Sequence, residues 1–278
     1  EPKQVIYPTI RAKRAGKLNI EYRLAEELEL DAANNEIGMW TVWVDAVTGE
    51  PIARKTGIKY ASGRVLFDVP DRHPAGTRQP QPAPFARYTI AGETVTSTAD
   101  GTISWTGTGG INVDLTPIGQ FASIVNRGGA PRITETVGLT ANGQFTWSKA
   151  VTEFEDAQVS SYVFINQVKA FTKARLNPGL TWLDRSITLN VNENSTCNAM
   201  SGGNTLHFFR RGGGCENTAR LADVVYHEFG HSLHGESIIS GIGNFDGALS
   251  EGIGDVLALA MTNDPGMGRG FFMDDRPL

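Results

Sequence analysis

Residues 227–231 read His-Glu-Phe-Gly-His, and residues 247–255 read Gly-Ala-Leu-Ser-Glu-Gly-Ile-Gly-Asp. In a helix, positions i and i+4 lie on one face about one turn apart, so His227 and His231 can bind a single metal ion together. Glu228 lies about 100° further round the same helix, where its carboxylate can approach a water at the metal without becoming a ligand. This first stretch therefore predicts a helix that carries a metal site.

The residues around the first stretch favour a helix from about Thr218 to Leu233. Asn217-Thr218 offers an N-cap, and apolar residues recur at helical spacing on the side to be buried. Gly230 costs roughly 1 kcal/mol inside a helix. We therefore expect another element to pack closely against the helix at Gly230.

A catalytic zinc needs three protein ligands and one open position, so a third ligand must follow. One known continuation, H-E-x-x-H-x-x-G-x-x-H, fails because His234 and Ser237 stand where it requires glycine and histidine. The other takes a glutamate from a later helix, and Glu251 lies in a predicted helix from about Ala248 to Met261. Asp255 lies one turn after Glu251 on the same face, well placed to accept the free ring N–H of a metal-bound histidine.

Together, H-E-F-G-H and the following G-A-L-S-E-G-I-G-D-V resemble the motifs of the gluzincin zinc metallopeptidases, the thermolysin-like enzymes and their fungalysin relatives. The resemblance implies one catalytic Zn²⁺ on His227, His231 and Glu251, with Glu228 as general base and Asp255 behind a ligand. It implies a zinc-dependent endopeptidase acting on protein or peptide substrates. Calcium is compatible with the sequence but is not predicted by it.

Further similarities to this family lie upstream. The family has an edge strand that pairs with the substrate backbone and commonly begins with Asn-Ala. Residues 197–200, Cys-Asn-Ala-Met, look similar, so Asn198 and Ala199 are candidate substrate contacts. The alternative is a surface hairpin closed by a disulfide.

The resemblance also implies a division of the chain. Residues 1–58, with the phrase T-V-W-V-D-A-V-T-G-E, resemble the end of the family's propeptide (PepSY/FTP-like), followed by a β-rich domain at 59–153 and a catalytic domain at 154–278. Family members add a helical subdomain with an oxyanion-stabilising His or Tyr, and no histidine follows Glu251 here. We expect an incomplete catalytic domain, a zymogen or processed fragment, with a C-terminal fragment of the same precursor as a candidate partner.

Composition narrows the classes of function. Of 278 residues, 20% are charged, and the net charge is −5 with no long run of one sign. Nucleic-acid binding needs a clustered basic face, and nothing in the sequence indicates one. No apolar stretch approaches the roughly 18–20 residues that span a bilayer. The remaining alternative to a peptidase is a binding or adhesive module with a structural metal site, although such a site has no need of Glu228.

The chain has two cysteines, Cys197 and Cys215. An even count beside turn residues predicts a disulfide, which would stabilise the fold by ~3 kcal/mol in the chain-entropy model. The alternative is a pair of buried thiols. A disulfide suits a secreted or extracellular protein, with the periplasm as a second compartment.

The predicted fold class is α+β, with a β-rich N-terminal region followed by a gluzincin-type subdomain of a sheet and two helices. Residues 39–46 are rich in β-formers and precede a turn at Thr48-Gly49, whereas residues 24–30 are compatible with a helix. Asp100-Gly101 and Asn142-Gly143 predict hairpins between their flanking β-prone runs. Helical spacing predicts a helix over 155–175, ended by Asn177-Pro178-Gly179.

Overall fold

The computed structural model describes residues 2–14, 17–31, 39–57 and 60–274. The chain divides into two compact units. The first comprises residues 1–61 with 105–108, and the second comprises residues 62–104 and 109–278. Helices and sheets occur together, so the protein belongs to the predicted α+β class.

The first unit contains a four-stranded antiparallel sheet in the order β1-β2-β3-β4. As predicted, the chain turns at Gly49, whose positive φ of 73° suits a glycine. The strands are β1 (Lys3–Arg14), β2 (Lys17–Asp31), β3 (Met39–Asp45) and β4 (Pro51–Thr56).

The helix-compatible interpretation of residues 24–30 is wrong, because these residues lie within β2. Leu28 in β2 is paired with Val42 in the neighbouring strand β3. From the same strand, the indole Nε1 of Trp43 donates to a carboxylate oxygen of Glu27 at 2.8 Å. Cross-strand pairs of this kind stabilise a sheet by a few tenths of a kcal/mol to about 1 kcal/mol each. Over several residues they outweigh a weak helical propensity.

Strands β5 to β16 form three further sheets. Their orders are β12-β10-β7-β8, β13-β5-β6 with β9 also beside β5, and β11-β14-β16-β15. The strands are β5 (Tyr60–Pro70), β6 (Arg78–Pro82), β7 (Arg87–Ile90), β8 (Glu93–Thr96), β9 (Thr102–Thr106), β10 (Ile111–Leu115), β11 (Ala122–Asn126), β12 (Glu135–Leu139), β13 (Gln144–Trp147), β14 (Ile187–Glu193), β15 (Ala199–Ser201) and β16 (Thr205–Phe209).

The two hairpins predicted from Asx-Gly dipeptides are wrong in their pairing. Both turns exist, with φ of 84° at Gly101 and 58° at Asn142. However, β8 pairs with β7 and β9 with β5, while β12 pairs with β10 and β13 runs parallel to β5. The dipeptides define where the chain turns, but the burial of apolar faces decides which strands pair.

The described residues of the second unit also form three α-helices, α1 (Glu153–Phe171), α2 (Ala222–Ser237) and α3 (Gly247–Thr262). Thr152 caps α1 in a capping box with Glu155, and a π-helical turn over Thr172–Leu176 follows it before the predicted stop. Asn217 caps a short 3₁₀ turn rather than α2, which begins at Ala222. None of the helices among the described residues is long and apolar enough to cross a membrane.

The sheet β11-β14-β16-β15 positions the motif helix. Strands β11, β14 and β16 run parallel, and β15 is antiparallel at the end of the sheet, as an edge strand. Helix α1 packs against β11, β14 and α2. The ring of Phe229 in α2 stacks on Trp182 with 5.5 Å between ring centroids. These contacts hold α2 beside β15.

The predicted disulfide forms between Cys197 and Cys215, with 5.2 Å between Cα atoms. Cys215 is fully buried. The bond joins the residues just before β15 to those just before α2. It therefore fixes the edge strand relative to the motif helix.

Salt bridges from Arg72 link the start of α2 to the segment that follows α3. Its guanidinium donates to both carboxylate oxygens of Asp223, at 2.7 and 2.5 Å, and to Asp264 at 2.6 Å. A further bond of 2.7 Å reaches the carbonyl of Gly266. Asp223 lies in the first turn of α2, and Asp264 follows α3. Arg72 thus joins the start of α2, the segment after α3 and the turn that follows β5.

Candidate metal centre

Side chains of α2 and α3 converge on one point. The rings of His227 and His231 are 4.7 Å apart between centroids and almost perpendicular. From α3, the carboxylate of Glu251 lies 3.2 Å from Nε2 of His227 and 3.7 Å from Nε2 of His231. One ligand atom from each residue lies within 4.8 Å of the others. The three predicted ligands therefore form a compact cluster.

Two glycines allow α2 and α3 to approach this closely. A Cβ on Gly230 would lie 2.6 Å from the Cα of Gly254, and a Cβ on Gly254 would lie 2.8 Å from Nδ1 of His227. Real Cβ atoms essentially never come this close to other atoms. The close packing predicted at Gly230 is confirmed, and its partner is Gly254. The crossing brings Glu251 within reach of the histidines.

We expect Gly230→Ala to lower zinc affinity by about tenfold or more, because the added methyl group meets backbone atoms and must push α3 away. In other metal sites, loss of the hydrogen-bond partners that orient the ligands costs 10–100-fold in metal affinity or activity, and a displaced ligand should cost a similar factor. Gly235→Ala is the matched control on α2, where a Cβ meets nothing within 4 Å. Competition with a chromophoric chelator measures both. Equal zinc affinity of the two variants would contradict this account of the helix crossing.

Hydrogen bonds to the other ring nitrogen orient both histidines. Nδ1 of His227 lies 2.9 Å from a carboxylate oxygen of Asp255, and Nδ1 of His231 lies 2.9 Å from Oγ of Ser250. Both Nε2 atoms are then left for a metal. Asp255 lies where the sequence pattern places it. Ser250 was missed, although a search for a polar partner beside each predicted ligand would have found it next to Glu251.

The cluster fits a zinc ion in its chemistry and dimensions. Two imidazole nitrogens and one carboxylate are the donor set of several catalytic zinc sites. Donor atoms about 2.0–2.1 Å from a tetrahedral ion lie roughly 3.3 Å from one another. One oxygen of Glu251 lies 3.2 Å from Nε2 of His227 and the other lies 3.7 Å from Nε2 of His231, and these two separations bracket this value. All three side chains also line one open cleft.

The electrostatics of the cluster also favour a bound cation. Glu228 is 6% exposed, and burial, followed by the negative charge of Glu251, raises the pKa of its carboxyl to about 8. Burial, followed by the proximity of His227, lowers the pKa of His231. A divalent cation on the three ligands would lower the pKa of Glu228 and keep both imidazoles neutral. Glu228 would then be available as a base.

The cluster lines a cleft of about 630 Å³ between α2, α3 and β15. Glu228 shares this cleft with the three ligands. Asn198 and Ala199 line it as well, and Ala199 pairs with Phe208 of β16. Further lining residues not singled out from the sequence are Met200, Ser201, Gly203, Ser232, Gly235, Glu236, Phe245, Gly247 and Ser250.

His207 and His234 lie away from the candidate metal ligands. Nδ1 of His207 lies 2.7 Å from a carboxylate oxygen of Glu193 at the surface of the sheet. His234 is 7% exposed and stacks on Phe245 at 4.9 Å between centroids. His234 therefore packs against the loop before α3 rather than joining the cluster.

No protein-family model matches the sequence, and no curated protein matches it either. Among solved structures, the chain is similar to the precursor of protealysin, a metalloproteinase from Serratia proteamaculans. The identity is 18% and the TM-score is 0.37, over 51% of this chain and 43% of that one. The match thus spans less than half of the precursor. A likeness of this extent carries no weight for fold or function, so both rest on the geometry of the chain itself.

Proposed function

We propose that this chain is a zinc-dependent endopeptidase, or the part of one that carries the metal ligands and the general base. The observation that carries the proposal is the convergence of His227, His231 and Glu251 in a cleft that also contains a buried carboxylate, Glu228. The motifs that resemble those of the gluzincins agree with it. In this proposal, each of these four side chains has a distinct chemical role.

In this proposal, the two Nε2 atoms and Glu251 hold the ion, while Asp255 and Ser250 fix the imidazole rings. When bound, zinc polarises the scissile carbonyl and lowers the pKa of a water to ~7. Glu228 accepts a proton from the attacking water and passes it to the departing amine. A general base positioned in this way contributes roughly 10²–10⁴-fold to the rate.

Strand β15 is the proposed binding edge for the substrate. It ends its sheet among the described strands, and it lines the cleft next to Glu228. An extended peptide can add to such an edge through main-chain hydrogen bonds. Asn198 and Ala199, at the start of the strand, are the proposed substrate contacts. The hydroxyl of Thr218 donates to the carbonyl of Asn198 at 3.1 Å and holds this segment in place.

A purely structural metal site is the competing function. Structural zinc is almost always bound by four protein ligands. Among the described residues, the cluster contains three His, Cys, Asp or Glu ligands, and a cleft opens beside them. A buried base at the same place favours catalysis.

The test is cleavage of a reduced, unfolded protein by the zinc-loaded chain, analysed by gel electrophoresis and mass spectrometry. We expect fragments with zinc and none after the metal is removed by chelation and dialysis. Parallel elemental analysis should give one zinc per chain. One bound zinc without cleavage, both for the intact chain and after removal of residues 1–58, would contradict the proposal that this chain is itself a peptidase. It would leave either the structural site or a peptidase that needs a further segment.

We further propose that residues 1–58 are a propeptide-like segment and that the protein is secreted, the latter in keeping with the disulfide. Cutting a protease site engineered near residue 58 after folding should raise the hydrolysis rate by about tenfold or more, the equivalent of ~1.4 kcal/mol of inhibition. Activity assays before and after the cut measure this. An unchanged rate in a chain that is already active would show that the segment does not inhibit.

A further inference from the structure

A second cavity, of about 330 Å³, lies apart from the metal centre in the same unit. It is formed where the end of α1 meets the 3₁₀ turn over Thr181–Asp184 and the residues before β7 and β11. Its walls are largely apolar and include Phe85, Phe121, Ala170, Ala174 and Leu183. The rings of Phe85 and Phe121 meet edge to face, with 4.8 Å between centroids.

One buried cation lines this apolar cavity. Lys169 is 4% exposed, and its ammonium donates to the carbonyls of Phe121, at 2.9 Å, and of Arg185. It also lies 5.5 Å from the ring centroid of Phe121 and 6.0 Å from that of Trp182. A lysine ammonium has three protons, and these bonds use two of them. Among the described residues, no third acceptor is hydrogen-bonded to this ammonium.

Among the described residues, no carboxylate oxygen lies within 4.0 Å of Nζ of Lys169, so no direct ion pair there neutralises its charge. Asp184, the acidic residue in the cavity wall, is paired with Lys173 instead. Lys169, Lys173 and Asp184 together therefore leave one net positive charge beside an apolar space. Burial, opposed by Asp184, lowers the pKa of Lys169 to about 8.

The backbone around the cavity departs from regular geometry on two sides. The π-helical turn over Thr172–Leu176 carries Lys173 and Ala174, and such turns occur frequently at functional sites. Across the cavity, Phe85 has a positive φ of 53°, which is uncommon for a residue with a side chain. The surrounding structure must hold Phe85 in this conformation. Both deviations shape the walls of the cavity.

We propose that this cavity binds a small organic carboxylate with one aromatic ring or a short aliphatic chain. The carboxylate would pair with Lys169 and Lys173, and supply the charge that the buried ammonium lacks. The apolar part would lie against Phe85, Phe121 and Leu183. A cavity of about 330 Å³ is at the small end of ligand sites, which selects a compact ligand. This site is separate from the proposed peptidase centre and does not depend on it.

The test is calorimetric titration of the metal-free chain with 3-phenylpropionate and octanoate. Removing the metal ensures that a carboxylate cannot coordinate zinc. We expect saturable binding of at least one of them at one site per chain. The uncharged analogues 3-phenylpropanol and octanol should bind about tenfold more weakly or worse, because they lack the charge that pairs with Lys169.

Variants locate the site. Lys169→Met should weaken binding of the carboxylate by about tenfold or more. Lys149→Met, at an exposed lysine outside the cavity, is the matched control and should change nothing. Because Lys169 also holds two carbonyls, Ala174→Phe provides a second variant that fills the exposed mouth of the cavity and leaves Lys169 in place. Thermal unfolding confirms that each variant is folded.

Three results would overturn the proposal. The first is the absence of saturable binding by both carboxylates. The second is equal binding of the acids and their alcohols, which would exclude a role for the charge. The third is unchanged affinity in folded Ala174→Phe, which would place the ligand elsewhere on the chain.

Discussion

Replacing Glu228 by glutamine is expected to lower kcat/KM for peptide hydrolysis by about 10²-fold at least, and up to 10⁴-fold, while zinc stays bound. The amide keeps the shape of the side chain but cannot take a proton from water. Glu228 is not one of the three ligands, so the metal should remain at one ion per chain. Peptide hydrolysis kinetics and elemental analysis on the same preparation measure both quantities.

The stability of this variant separates a chemical effect from misfolding. Burial raises the pKa of Glu228, which means that the folded chain disfavours its charged form. A neutral amide should therefore not lower the midpoint of thermal unfolding of the metal-free chain. Glu236→Gln is the matched control, an exposed carboxylate on the same helix and in the same cleft. Full activity of Glu228→Gln would rule out Glu228 as the general base.

Replacing Glu251 by alanine is expected to remove the metal. The change leaves two histidines as ligands, and loss of a hydrogen-bond partner behind a ligand already costs 10–100-fold in affinity. We therefore expect zinc affinity to fall by more than about 100-fold. The side chain of Glu251 is 66% exposed, so the helix pair should stay folded. Zinc competition titrations and circular dichroism check the two expectations.

Comparing the zinc affinities of two variants tests whether Glu251 is a ligand or only supports one. Asp255→Asn keeps all three ligands but replaces the carboxylate that orients His227, so its loss of zinc affinity should be smaller, about 10–100-fold. The expected order of affinity is the unmodified chain, then Asp255→Asn, then Glu251→Ala. Unchanged zinc content in Glu251→Ala would show that the third ligand is another residue.

Local patterns in the sequence predicted the elements that carry the candidate site. Apolar spacing and the His-Glu-x-x-His motif indicated the helix α2, although its observed bounds lie four residues later at each end than the predicted Thr218 to Leu233. Helix α3 lies within one residue of its predicted bounds. The glycine at 230 indicated close packing before its partner was known. These predictions succeed because helix periodicity and i, i+4 spacing depend on neighbours in the chain.

Features that depend on distant residues could not be predicted in this way. Asp100-Gly101 and Asn142-Gly143 marked turns, but nothing local showed that β9 and β13 pair with β5. Residues 24–30 became a strand because of partners in β3, against their own helical propensity. The bond from Ser250 to His231 depends on the angle at which α2 and α3 cross, which the spacing between the motifs does not determine.

The Arg72 cluster has a consequence for how the protein folds. Arg72 is separated in sequence by 151 residues from Asp223 and by 192 from Asp264. The salt bridges that link it to the start of α2 and to the segment after α3 are therefore very long-range contacts. Contacts of this range form slowly, because the conformational entropy of the long intervening chain is lost before the contact stabilises the fold. We therefore expect zinc affinity to appear only in the last kinetic phase of refolding, and a peptide of residues 222–262 alone to bind zinc weakly. Metal uptake would then report that the whole second unit has reached its native topology.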